Sequence, residues 1–288
     1  MKKLVVFLMP LVLLTSCKKE QGVSPTANFE KEIEFLKEMN ISSLNLVVSS
    51  LGDAISRIDK DKVNLSQRRL IKETALGLNG RYFNADEKTI VNFLNNYGEL
   101  ILPGSFNKKY KDEYFIDLST FDVYNERQLV LLQPFIDNIM NESDMNKVKS
   151  EAIAFQLSVI NSTLSNNEKV QILSLTTCII SFVEFIEGGG IEKVQEILAE
   201  EMEAKPFSNG RNMGCSVNTR SVLAGAVVGF MQGAIGGCYA GAAGGTVTFP
   251  IVGTVTGCVS AGMVGGAIGF ATGAVTGIIT ELITSCGR

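Results

Sequence analysis

The chain contains no histidine in its 288 residues, and that narrows its chemistry at once. A serine or cysteine nucleophile activated by imidazole is excluded, and so are imidazole metal sites. Six cysteines are present, and no two stand in the Cys-x-x-Cys spacing that holds zinc or runs a dithiol couple. Carboxylate or lysine catalysis survives in form only. Asp112, Glu113, Asp117 and Asp122 gather near Tyr110, Tyr114, Phe115 and Phe121, a stretch of the kind a glycan site uses. Such charges more often make a solvated face. The glycine runs lack the Lys-Ser/Thr of a phosphate loop, and no strand precedes them as a dinucleotide fingerprint requires. A formal net charge of −4 and the lack of a basic patch argue against nucleic acid. A non-enzymatic protein without metal or cofactor is expected.

The residues with the most regular spacing are glycines. Between Arg220 and Glu281 sixty residues carry no charge. Gly225, Gly229, Gly233, Gly237, Gly241 and Gly245 recur there at every fourth position. Gly253, Gly257, Gly265, Gly269, Gly273 and Gly277 repeat the pattern, with Ala261 in the one gap. Residues four apart stack on one helix face, so each row makes a groove into which another backbone can press. Glycine within a helix costs about 1 kcal/mol relative to alanine, and this block holds sixteen of the chain's twenty-eight. Either a lipid surround or close backbone packing must offset that cost. Ser221–Gly245 and Gly253–Thr280 each exceed the roughly 20 residues needed to cross a bilayer core.

Thr246–Val252, with Pro250 and a run of poor helix formers, places a turn between the halves. Folding the chain about Phe249 sets Gly225 against Gly273, Gly229 against Gly269, Gly233 against Gly265 and Gly237 against Ala261. Gly241 then meets Gly257, and Gly245 meets Gly253. A period of four predicts a right-handed crossing. The remaining apolar side chains, among them Val227, Val228, Phe230, Met231, Ile235, Val259, Val264, Ile268, Phe270 and Val275, are expected to face lipid. The alternative is that the pair packs on protein.

The amino-terminal end pairs a basic Met1-Lys-Lys with an apolar run, Leu4–Leu14, too short to span a bilayer. It closes on Leu14-Thr15-Ser16-Cys17, which resembles the lipobox of bacterial lipoproteins. That resemblance implies removal of residues 1–16 and acylation of Cys17, an anchor stronger than one acyl chain provides. Lys18 after the cysteine implies onward sorting to the outer membrane. The protein is therefore expected in the cell envelope, with membrane lipid as a partner.

In an oxidising compartment the other cysteines matter. Cys238 with Cys258, and Cys215 with Cys286, lie nearly symmetrically about the turn, so both pairs are candidates for disulfides. Buried thiols are the alternative. Cys178, inside the apolar run Leu173–Phe185, reads as a core residue.

The elements that carry these residues are helical. Residues 17–28 read as a tether, 29–205 as a helical domain, 206–220 as a linker, 221–280 as the glycine-rich antiparallel helical hairpin and 281–288 as a tail. The fold class is mainly α. Phe29, Ile33, Leu36 and Met39 keep helical spacing, as do Leu44, Val47, Leu51, Ile55 and Ile58. Asn84-Ala-Asp-Glu87 and Ser165-Asn-Asn-Glu168 resemble helix caps. Helices are also predicted over Glu126–Met140, Met145–Leu164 and Ile191–Ala204, and Asn107–Tyr124 as a loop or short hairpin.

The segment Leu223–Gly277 is similar to class II bacteriocins and to glycine-zipper segments of envelope proteins. Ile186-Glu187-Gly188-Gly189 resembles a double-glycine export leader, although a helix terminator is the first reading of these glycines. Two functions follow as expectations. One is a lipid-anchored envelope protein whose hairpin inserts or self-associates, with the helical domain binding a protein partner. The other is a membrane-permeabilising effector.

Overall fold

A pair of long helices charged only at their outer ends needs covering if it is to exist in water, and in this protein other helices cover it. The computed structural model describes residues 25–59, 62–83, 85–96, 115–201, 217–244 and 257–286. They form ten helices and one small two-stranded sheet, so the protein is mainly α. The predicted residues 17–24, the 206–216 part of the linker and the 245–256 turn region lie outside the described residues.

Helix α1 (Pro25–Ser49) is continuous and buries Phe29, Leu36, Met39, Leu44 and Val47 along one face. A single turn, α2 (Leu51–Ala54), follows it. The helical spacing through Ile55 and Ile58 does not persist. Ile55–Asp59 (β1) pairs antiparallel with Lys62–Leu65 (β2), Ile55 opposite Leu65 and Arg57 opposite Val63. Short apolar runs with β-branched residues fit either period, and here pairing with the Val63 segment decided between them.

Helices α3 (Gln67–Leu78) and α4 (Glu87–Asn96) come next. The amide of Thr89 donates to the Asp86 carboxylate at 2.8 Å, so Asp86 carries the cap at α4; Asn84 lies outside the described residues. Within Asn107–Tyr124 the described part holds a single 3-10 turn at Leu118–Thr120, not a hairpin. The Gln133 side chain pins it, accepting from the Leu118 amide and donating to the Ile116 carbonyl.

Helices α5 (Glu126–Asn141) and α7 (Asn166–Glu187) both open on capping boxes, Asn125 with Gln128 and Ser165 with Glu168. Between them lies α6 (Met145–Ile160), four residues shorter than its predicted end. Its Gln156 side chain donates to the Thr176 and Thr177 hydroxyls of α7 at 3.1 and 2.9 Å. The glycine run acts as a terminator. Gly189 takes φ +80° after α7, where a side chain would be strained, and α8 (Gly190–Glu201) starts immediately.

The last two helices, α9 (Thr219–Gly244) and α10 (Gly257–Cys286), sit at the centre. Around them pack α1, α3, α4, α5, α7 and α8. One continuous hydrophobic core takes in residues from α1 through α10. Here the structure corrects the expected lipid-facing surface. Val227, Val228, Phe230, Met231, Val264, Ile268, Phe270 and Val275 are all buried, and Ile235 and Val259 are half-buried. The Phe270 ring meets Phe182 of α7 edge-on at 6.1 Å. A helix apolar all round looks the same whether lipid or protein surrounds it, and in this structure the surround is protein.

Candidate functional site

The glycine rows lie where α9 and α10 touch, and the helices run antiparallel. A methyl group added to Gly229 would run into the Gly269 carbonyl. One on Gly233 meets the Gly265 carbonyl, and one on Gly237 meets that of Ala261. On the other side of the seam, Gly265 faces the Gly233 carbonyl and Gly273 the Gly225 carbonyl. These four partnerships are the ones that folding about Phe249 sets up. At the base the pattern changes, because Gly277 faces Val222 rather than a glycine, and a methyl added there would lie 3.1 Å from the Val222 Cα. Gly241 lies in α9 and Gly257 begins α10, while Gly245 and Gly253 lie outside the described residues.

The closest approaches in this seam are backbone against backbone. No side chain from the surrounding helices is needed to complete them. Those helices pack on the apolar side chains of the pair, and residues of α3 and α4 also lie beside Gly237, Ala261 and Gly265. The seam is thus satisfied within the pair, and the outer face needs only an apolar neighbour.

Near the turn end the Cys238 and Cys258 sulfurs are bonded to each other across the pair, 20 residues apart in sequence. The proposed partners Cys215 and Cys286 are not brought together in what is described: Cys215 lies outside it, and of Cys286 only its place as the last residue of α10 is known. Cys17 lies outside as well. Cys178 is a buried free thiol in α7.

Of the carboxylates considered for chemistry, the described ones are Asp117 and Asp122, which have different surroundings. Asp112 and Glu113 lie outside the described residues. Asp117 caps the 3-10 turn, accepting from the Ser119 amide and hydroxyl at 3.0 and 2.6 Å. Asp122 stands apart at the rim of a cavity of about 260 Å³, beside the disulfide. A second, smaller crevice is wholly apolar and lies where Phe83, Ile90 and Phe93 lean on Gly237, Val264 and Ile268.

Two features escaped the sequence. The first is α7: like α9 and α10, it is long and apolar enough to cross a membrane by length and composition. The uncharged run Leu173–Val183 carried that signal. The second is a set of buried polar atoms without partners among the described residues: Glu32 Oε2, both amide atoms of Asn40, Ser174 and Ser181 Oγ, and Thr276 Oγ1. They belong to α1, α7 and α10, which pack on one another. Glu32 is only 5% exposed, and burial pushes its carboxyl up to about 7. Unpartnered buried polar groups cost about 1–3 kcal/mol each, so this side of the sheath is its weaker one.

Among the described residues, three helices are long and apolar enough to cross a membrane by length and composition, and two of them meet through glycines. Comparison with protein-family models, with curated proteins and with solved structures gives no match.

Proposed function

We propose that this is a non-enzymatic, lipid-anchored protein of the cell envelope that stores a glycine-zipped helical pair inside a helical sheath and yields it to a membrane. The observation that carries the reading is the self-contained seam. Because α9 and α10 close on each other through backbone contacts, they can exchange the sheath for lipid without breaking a contact between themselves. Most buried residues of the pair are apolar ones that lipid would accept, with Ser260, Thr272 and Thr276 the polar exceptions in α10. The disulfide keeps the two helices together during such a transfer. Acylation of Cys17 would hold α1, eight residues further on, beside the bilayer, with the outer membrane as the destination implied by Lys18. Hairpins from several copies could then associate, and the sheath would be the surface open to a protein partner.

Dye release from liposomes tests this directly. Full-chain protein added to dye-loaded vesicles is expected to release dye in a dose-dependent way if the pair permeabilises, as a bacteriocin-like effector would. Insertion without leakage, seen as carbonate-resistant membrane association of a Cys17→Ser variant, marks the envelope form of the same reading. A variant that washes off while no dye escapes would contradict both forms.

One observation favours a second reading. The outer face of the pair is already covered by protein, so α9 and α10 can serve as the fixed core of a lipid-anchored binding protein. Under that reading the vesicles stay tight and the Cys17→Ser variant stays soluble.

A further inference from the structure

The cavity beside the disulfide has two chemically distinct walls. Its inner wall comes from the glycine pair and is apolar, with Phe230, Val259 and Met263. Its outer wall includes Thr120, Asp122 and Gln171. The Gln171 amide is already engaged, accepting from Gln128 at 2.8 Å, and the Thr120 hydroxyl donates to the Asp117 carbonyl at 2.7 Å. Asp122 is exposed and has no hydrogen-bond or ion-pair partner among the described residues. Tyr239, 63% exposed, lines the same opening. The volume, about 260 Å³, is many times what a single water needs.

We propose that this cavity binds a small amphiphile bearing an ammonium group, its apolar body against Phe230, Val259 and Met263 and its cation between the Asp122 carboxylate and the Tyr239 ring. A carboxylate and an aromatic face each attract a cation, and an apolar floor with few polar groups is the usual make-up of a small-molecule site. The ammonium can belong to a free amine or to the headgroup of an ethanolamine lipid. The site does not rest on membrane insertion, since a soluble amine would fill it in the sheathed protein.

Calorimetric titration of the full chain carrying Cys17→Ser with phenethylammonium is the test. Saturable binding is expected, with 2-phenylethanol and phenylacetate at least about fivefold weaker, and Asp122→Asn lowering affinity about fivefold. Asp122 is exposed, so its replacement leaves the thermal midpoint unchanged. Val259→Trp, which fills the cavity from its half-buried wall, is expected to abolish binding. Absence of binding, equal affinity for the three compounds, or an unaffected Asp122→Asn variant would each overturn the proposal. Vesicles then identify the source. Preference for phosphatidylethanolamine over phosphatidylglycerol vesicles, relieved by phenethylammonium, assigns the headgroup; no preference, with the free amine still bound, assigns a soluble amine. Tight vesicles in the leakage assay, with the Cys17→Ser variant washing off, would sink the insertion reading and leave this site standing.

Discussion

At Gly233 the atom in the way of a side chain is a backbone carbonyl, that of Gly265. Backbone cannot swing aside, so one methyl there must push two helices apart. A methyl added at Gly262 would lie 3.2 Å from the Ala234 carbonyl, a tight approach that a few tenths of an ångström relieves. Alanine gains about 1 kcal/mol of helix propensity over glycine at either place. Gly233→Ala is therefore expected to destabilise by about 1–3 kcal/mol, and Gly262→Ala to fall near neutral. Urea midpoints of the two variants check this; equal midpoints would mean that the seam is not tight. Glu32 is the second residue with a sharp consequence. Burial raises its carboxyl from 4.5 to about 7 in the fold. The unfolded chain then loses its proton first as pH rises, so the Glu32 contribution to stability is fully present below about 4.5 and is lost as pH rises to about 7. The linkage amounts to about 3 kcal/mol. Glu32→Gln should flatten the fall in urea midpoint between about pH 5 and pH 8, and an unchanged slope would show that the carboxyl is not responsible.

Among the elements, the pair α9–α10 depends on its seam and on one covalent link. Closing a loop of 20 residues removes unfolded-state entropy worth about 3 kcal/mol. Reduction, or Cys238→Ser with Cys258→Ser, should lower the unfolding free energy by about 2–4 kcal/mol. The double variant should then become insensitive to reductant. A wild-type midpoint unmoved by reductant would mean that the bond is absent or contributes nothing. The register of the pair is legible because glycines spaced by four fix both the face and the partner: Gly229 with Gly269 needs only that the chain reverse between the two halves. The strand at Ile55 was not, because Leu51, Ile55 and Ile58 fit a helix as well as they fit a short strand, and tertiary pairing decided. The Asp86 cap at α4 was not singled out for a similar reason, since Asn84 and Asp86 are both good cap residues and sequence alone does not choose between them.

For the whole molecule, what the sequence could not tell was the surround. Phe230, Ile268 and Phe270 are apolar whether lipid or protein covers them, as Phe182 covers Phe270 here, and hydropathy carries no mark of the difference. The sheath that covers them includes α1 and α7, which pack on α10 and, like it, carry buried polar atoms that lack partners among the described residues. That arrangement makes the seam the most cohesive contact and the sheath the more easily opened one. Hydrogen exchange on the full chain, with and without vesicles, reads both at once. Amides of α9 and α10 are expected to stay protected on adding vesicles, while those of α1, on the weaker side of the sheath, lose protection as it opens. Equal protection in every helix before and after vesicle addition would contradict this, and would leave the glycine pair as a permanently closed core.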